Sequence, residues 1–386
     1  MIQMTSVAFR NCRVLARNRL CEGLAVVVHD GQIEEICPED QLPTNGFEVH
    51  DLDGMLLLPG FIDVQVNGGG GILFNERTDV DGIRSIAEAH YQYGTTGFLP
   101  TLISDELDVV ERALRASERA IDEGIPGVLG VHIEGPFLNP ERRGVHDQNK
   151  LRRLTAETVA SLKPLHNGKT VLTLAPEAVD RDAVADLVSS GFIVCAGHSD
   201  ASYDETILAL ERGLRGFTHL FNAMSQLGAR EPGMVGAALD DRDSWCGLIA
   251  DFHHVNPATL RIAHRCKGAD KLMLVTDAMP PVGSDMKQFR LLDKIVEVSD
   301  GVCRDQNGTL AGTALDMATA VRNMMNATGV AVPEAVNMAS TSPAAFLRLG
   351  ERVGTIDVGK RANFVVADDD LRVAMTWIDG KVVFEA

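Results

Sequence analysis

Residues 128–136 read VLGVHIEGP, a short apolar run that closes on His132 and Glu134. Two further runs share this form: FIVCAGHS at 192–199, closing on His198, and GFTHLFNAM at 216–224, carrying His219. Each has the length and composition of a strand, with its polar residue near the C-terminal end. A parallel barrel gathers its strand C-termini on one face, and that face carries the chemistry. Three strands of one barrel would then bring Glu134, His198 and His219 to a single point. Two imidazoles and a carboxylate are a ligand set suited to Zn²⁺ or Fe²⁺.

Outward from these runs, the middle of the chain alternates strand and helix. The candidate strands are FIDVQV (61–66), TTGFLPTL (95–102), VLGVHIE (128–134), TVLTLA (170–175), FIVCAGH (192–198), GFTHL (216–220), CGLIAD (246–251) and KLMLVTD (271–277). Eight is the strand number of a (β/α)8 TIM-type barrel. Amphipathic segments separate most of them, such as 108–124 and 202–213, each ending at a Gly. After the eighth strand, 280–312 reads as an irregular excursion with a hairpin. Two helices are expected next, over 314–329 and 333–350, with Met-rich faces suited to core packing.

Both ends of the chain are β-rich. AVVVHDGQIEEI (25–36) is a hairpin signal with Asp30-Gly31 at its turn, and 363–386 gives strands broken at Asp368–Asp370 and at Asp379-Gly380. One small β-sandwich domain formed from the N- and C-terminal segments, 1–57 plus 355–386, is therefore expected beside a barrel domain over 58–354.

The 386 residues suffice for this arrangement, and the net charge of −18 argues against a nucleic-acid binder. No apolar run reaches the length of a membrane span, and the first residues lack a signal peptide's apolar core. The seven cysteines are widely spaced with no CxxC pair, the pattern expected of a reduced cytoplasmic protein.

The eighth run ends on Asp277, where an acid is either a helix cap or a functional carboxylate at the barrel mouth. Beside a metal it becomes a natural general base, taking a proton from activated water and returning it to a leaving group. His132 lies two residues from Glu134, on the same side of its strand, and suits a supporting role. Any one of the 11 histidines is more often structural than ligating. Three correct ligand types at three strand ends weigh the other way.

Five segments in one order, PGFIDVQVNG (59–68), HIEGPF (132–137), AGHSDA (196–201), THLFNAM (218–224) with REPG (230–233), and VTDA (275–278), resemble the amidohydrolase superfamily. Within it they resemble the N-acetylglucosamine-6-phosphate deacetylases, as does the late VGTIDVGKRANFVVAD (353–368). The resemblance covers nearly the whole chain. It implies hydrolysis of the acetamide of N-acetylglucosamine 6-phosphate to glucosamine 6-phosphate and acetate. It implies one divalent metal, Zn²⁺ or Fe²⁺, on Glu134, His198 and His219, with Asp277 as catalytic base and then acid. His146, in GVHDQ beside Val145, matches a histidine near the scissile carbonyl; its alternative is a solvated loop histidine. Asn222 and Ala223 match phosphate contacts, Ala223 through its N–H. Arg230 and His254 match cationic contacts, some of them reaching across a homodimer interface. Leu310, Ala311 and Gly312 match a segment that closes over the sugar.

One departure matters. Many superfamily members carry His-x-His on the first strand, completing a two-metal site, whereas this chain has Gln65 and Asn67. Amides are weak Zn²⁺ ligands, so a single metal is expected. Gln65 either touches the water or the metal, or serves packing. Rival readings are another amidohydrolase activity, such as a cyclic amidase or deaminase, and a non-catalytic scaffold with a relict site.

Overall fold

A computed structural model describes residues 6–43, 46, 48–292 and 294–386; residues 1–5, 44, 45, 47 and 293 of the segments discussed above lie outside it. Eight parallel strands form the barrel: Phe61–Val66 (β1), Thr95–Ile103 (β2), Gly130–Glu134 (β3), Lys169–Leu174 (β4), Ile193–Ala196 (β5), Gly216–Phe217 (β6), Trp245–Leu248 (β7) and Leu272–Leu274 (β8). They pair in sequence order from β1 to β8. β1, β2, β3 and β5 are buried along their whole length. Strands covered on both faces need continuous apolar runs rather than alternation, and that is the form of these segments. The expected (β/α)8 architecture is borne out.

Local signals start and stop the helices between the strands. Ser202 and Glu205 form a reciprocal capping box at the start of Tyr203–Glu211. Asp79 accepts from the Gly82 N–H to open Val80–Tyr91. Gly124, at φ 72°, ends the run after Leu107–Asp122.

Barrel closure falls to β1 and the segment after β8, joined among the described residues by a single bridge, Val66 with Ala278. Main-chain bonds reinforce it, Asp277 N–H to Gln65 O at 3.0 Å and Gly68 N–H to Ala278 O at 2.8 Å. The buried carboxylate of Asp63 adds a clasp, accepting from the Gln65 N–H at 3.1 Å and from the Thr276 N–H and hydroxyl. Burial pushes its pKa up to about 7, against the opposing pull of these donors.

The β-rich ends form two stacked sheets. One joins Ser6–Arg10, Leu24–His29, Gln32–Pro38 and Glu48–Asp51; the other joins Arg13–Ala16, Arg19–Cys21 and Leu56–Pro59 to Phe364–Ala367, Val373–Ile378 and Lys381–Glu385. Their shared core includes Phe9, Val26, Leu57, Phe364 and Trp377. The hairpin turn lies at Asp30 (φ 48°) and Gly31 (φ 75°), left-handed at both positions as a tight two-residue turn requires.

Two expectations change. The segment 280–312 is more regular than an excursion with one hairpin, because four antiparallel strands, Gln288–Leu291, Lys294–Ser299, Val302–Asp305 and Leu310–Thr313, form a sheet. The helix expected over 333–350 is two, Val332–Ala339 and Thr341–Phe346, broken at Ser340. Pro343 is the cause: it lacks the N–H owed to the Ala339 carbonyl, and its ring would clash there.

Replacing Asp63 with Ala strands three buried donors at the barrel seam. At roughly 1–3 kcal/mol per unsatisfied group, partly relieved by water entry, a loss of about 3 kcal/mol in stability is expected from urea unfolding. A loss below about 0.5 kcal/mol would show that the clasp does not close the barrel.

Candidate metal and catalytic site

Glu134 ends β3 with its side chain buried, while His198 and His219 lie two residues beyond β5 and β6. Both histidines adopt left-handed backbone, φ 50° and 34°, as does Asp277 at 51°, three residues beyond β8. Non-glycine residues held there cost on the order of 1–3 kcal/mol each and persist where surrounding structure fixes them. The turns aim these side chains into the barrel mouth rather than along the strand direction.

The three ligand types converge. Glu134 Oε1 lies 2.9 Å from His219 Nε2 and 3.2 Å from His198 Nε2, and the two nitrogens are 3.0 Å apart. His198 Nδ1 lies 2.9 Å from the Arg142 carbonyl, which can only accept, so Nδ1 carries a proton and Nε2 is the atom turned toward Glu134. Burial pushes the Glu134 carboxyl upward, but the bonds and charges of His198 and His219 outweigh it and hold it well below the usual range. A buried carboxylate facing two imidazole nitrogens calls for positive charge between them. The set Glu134, His198 and His219 has the composition and spacing to hold a divalent metal ion.

Asp277 is restrained on one side only. Its Oδ1 accepts from Asn67 Nδ2 at 2.6 Å and from Gln65 Nε2 at 3.2 Å, whereas Oδ2 has no hydrogen-bond partner among the described residues. Burial, then the charge of Glu134, pushes its pKa up to about 6. Of the two roles open to Gln65 from sequence, contact with metal or water or simple packing, the structure shows a third: its amide also donates to Glu134 at 3.1 Å.

His146 is buried at the mouth rather than solvated. Its Nδ1 receives the Ser104 N–H at 3.2 Å and lies 2.7 Å from the Ser104 hydroxyl. A main-chain N–H can only donate, so Nδ1 is unprotonated and Nε2 carries the hydrogen. Burial and then the neighbouring His198 hold the ring neutral, its pKa lowered to about 3. Ser104 escaped the sequence reading; a polar residue directly after β2 was its only signal. His132 crosses the layer below the metal ligands, bonded to the Val64 carbonyl at 3.0 Å and to Thr173 Oγ1 at 2.7 Å.

A cavity of about 230 Å³ joins these groups to the other expected residues. Val145, His146, Asn222, Ala223 and His254 line it, with Leu310 and Gly312 on the far wall. Ala223 is left-handed at φ 52°, and its N–H makes no hydrogen bond among the described residues. His254 Nδ1 lies 2.6 Å from Asp251, which also accepts the His253 and His254 N–H groups. Asp251 was missed from sequence, although an acid three residues before a histidine can bond it locally.

Two expected residues are not brought to this cavity. Ala311 alternates with Leu310 and Gly312 along its strand and packs instead into a core with Phe289 and Cys303. Arg230 is exposed on the loop before Gly233–Asp240 and does not line this cavity.

A family model described as the amidohydrolase family matches residues 56–383, and one described as the NagA composite domain matches 7–57. The chain belongs to the amidohydrolase family. Among curated members it is similar to N-acetylgalactosamine-6-phosphate deacetylase of Shewanella sp. (strain ANA-3), 42% identical over 97% of this chain and 95% of the relative. It is also similar to human N-acetylglucosamine-6-phosphate deacetylase, 38% identical over 98% of this chain and 95% of the relative. Among solved amidohydrolases, N-acetylglucosamine-6-phosphate deacetylase from Pasteurella multocida superposes with a TM-score of 0.94 at 36% identity, covering 98% of this chain and 99% of that one.

The Asp277 carboxyl should be protonated below and ionised above about pH 6 in metal-free protein, which carbon-detected NMR compared with Asp277→Asn can follow. A bound dication would draw the midpoint lower. A metal-free midpoint near the ordinary value of about 4 would show that burial and Glu134 do not tune this group.

Proposed function

We propose that this chain is a metal-dependent hexosamine-6-phosphate deacetylase whose substrate is N-acetylglucosamine 6-phosphate, cleaved to glucosamine 6-phosphate and acetate. The observation that carries the reading is the juxtaposition of a one-sided carboxylate, Asp277, with a neutral imidazole donor, His146, around the Glu134–His198–His219 set. A divalent ion on those three residues would supply Lewis acidity and acidify water at neutral pH.

The chain's own groups do the rest. Asp277 Oδ2 takes the proton of the attacking water and later passes it to the departing amine. His146 Nε2–H donates to the acetamide oxygen as negative charge develops there, a task a neutral donor performs without moving a proton. The open Ala223 N–H, Asn222 and His254 receive the phosphate, so that remote binding orients the acetamide. Arg230, exposed on its loop, would contact the phosphate from a second copy in a homodimer. Free thiols at all seven cysteines, five of them buried, suit the cytoplasm. Among the described residues no helix is long and apolar enough to cross a membrane.

The 42% identity to a galactosamine-type relative favours a second reading, the C4 epimer as substrate. Acetate release measured on both phosphosugars decides between them. A higher kcat/KM on N-acetylglucosamine 6-phosphate is expected, and the reverse ratio transfers the assignment to the epimer. Chelation should abolish turnover and added Zn²⁺ or Fe²⁺ restore it. Asp277→Asn should lower kcat by at least about a thousandfold with metal content unchanged; a near wild-type rate would remove it as the base. Arg230→Ala should weaken binding of the phosphosugar far more than that of N-acetylglucosamine, and equal losses would reject its phosphate role.

A further inference from the structure

A second cavity lies at the opposite end of the barrel from this site. It encloses about 790 Å³ between the strand N-termini and the C-terminal strands. Thr96 of β2, Val128 and Leu129 before β3, and Lys169 opening β4 form one wall. The turn at Leu349–Val353 and the hairpin around Asp379–Val383 form the other.

Four fixed cations line it, Lys169, Arg352, Arg361 and Lys381, against one carboxylate, Asp379. Asp379 is engaged by Arg361 at 2.6 Å. The side chains of Lys169, Arg352 and Lys381 have no hydrogen-bond or ion-pair partner among the described residues. In a chain with 54 acidic and 36 basic residues, unpaired cations gathered in one cavity run against the overall balance. Asn167, on the same lining, donates through Nδ2 to Glu118 O and Asp122, yet its Oδ1 is buried without a partner. That oxygen can only accept. Ile121, Ile125 and Val382 supply apolar surface beside it.

We propose that this basal cavity is a second ligand site, for a small phosphorylated molecule that also carries a hydroxyl group. The phosphate meets the free cations, and the hydroxyl donates to Asn167 Oδ1. The volume falls within the range of small-molecule sites, roughly 300–1,000 Å³. A ligand there would join the barrel base to the C-terminal strands at the start of β2, β3 and β4, whose far ends carry Ser104, Glu134 and the ligand face. Its place at the strand N-termini separates it from the deacetylation site.

Glycerol 3-phosphate, titrated by calorimetry at low ionic strength into metal-loaded protein, tests the proposal. Wild type should bind one more equivalent than the variant Lys169→Ala/Arg352→Ala/Lys381→Ala, since any binding at the catalytic cavity is common to both. The single variant Lys381→Glu should weaken that extra equivalent at least tenfold, and serves if the triple variant does not fold. Methyl phosphate, fully ionised at pH 8 and without a hydroxyl group, should bind the basal site more weakly in a parallel titration, because it leaves Asn167 Oδ1 unmet. Undiminished deacetylase activity in the variants shows that the catalytic end is intact. Identical stoichiometry and affinity in wild type and variants would overturn the assignment.

Discussion

The buried carboxylate of Glu134 is the constraint on which the ligand face depends. A charge without solvent is tolerated only where donors or a cation surround it. Here His219, His198 and Gln65 all reach one oxygen, Oε1, from three different elements. Their convergence fixes how β1, β3 and the turns after β5 and β6 sit relative to one another. Removal of any one member would leave the others facing an unbalanced charge, so the group acts as a unit rather than as separable contacts.

The same constraint accounts for the backbone. A residue in regular extended conformation points up or down the barrel wall with its neighbours. His198, His219 and Asp277 turn away from that alternation through left-handed conformations. Neighbouring bonds hold them there: Asn139 N–H to the His198 carbonyl at 2.9 Å, Leu220 N–H to Gly247 O at 2.8 Å, and Thr313 N–H to Asp277 O at 3.1 Å. The last of these comes from the late four-stranded sheet, which also supplies Leu310 and Gly312 to the cavity wall. An element that reads as irregular in sequence is thus tied directly to the position of the Asp277 carboxylate.

What could be read from sequence was local. Apolar runs of strand length gave the eight strands, and a ligand-type residue at the end of a run needs no partner to be recognised. Asp30-Gly31 gave its hairpin for the same reason. What could not be read depends on distant pairing. Ser104 acquires meaning only through His146, 42 residues away, and Gln65 through Asp277, 212 residues away. The inward turn of Ala311 and the exposure of Arg230 follow from packing of whole elements, on which neighbouring residue types are silent. The break at Ser340 is different, since Pro343 stands in the sequence and disfavours the preceding turn by itself.

Gln65 and Asn67 carry the argument about metal number. Each donates an N–H to Asp277 Oδ1, and Gln65 also donates to Glu134, so its amide nitrogen stands between two buried carboxylates. Repulsion across that gap must be met by positive charge or by donors. Where the first strand carries His-x-His, a second cation can meet it. Amide donors answer the same demand with partial charge and no ion. They also leave Asp277 Oδ2 without a hydrogen-bond partner among the described residues. An amide meets a metal through its oxygen, and Asn67 Oδ1 is buried without a hydrogen-bond partner among the described residues. Amide donors at these two positions thus hold the Asp277 carboxylate at the barrel mouth without imidazole ligands on the first strand.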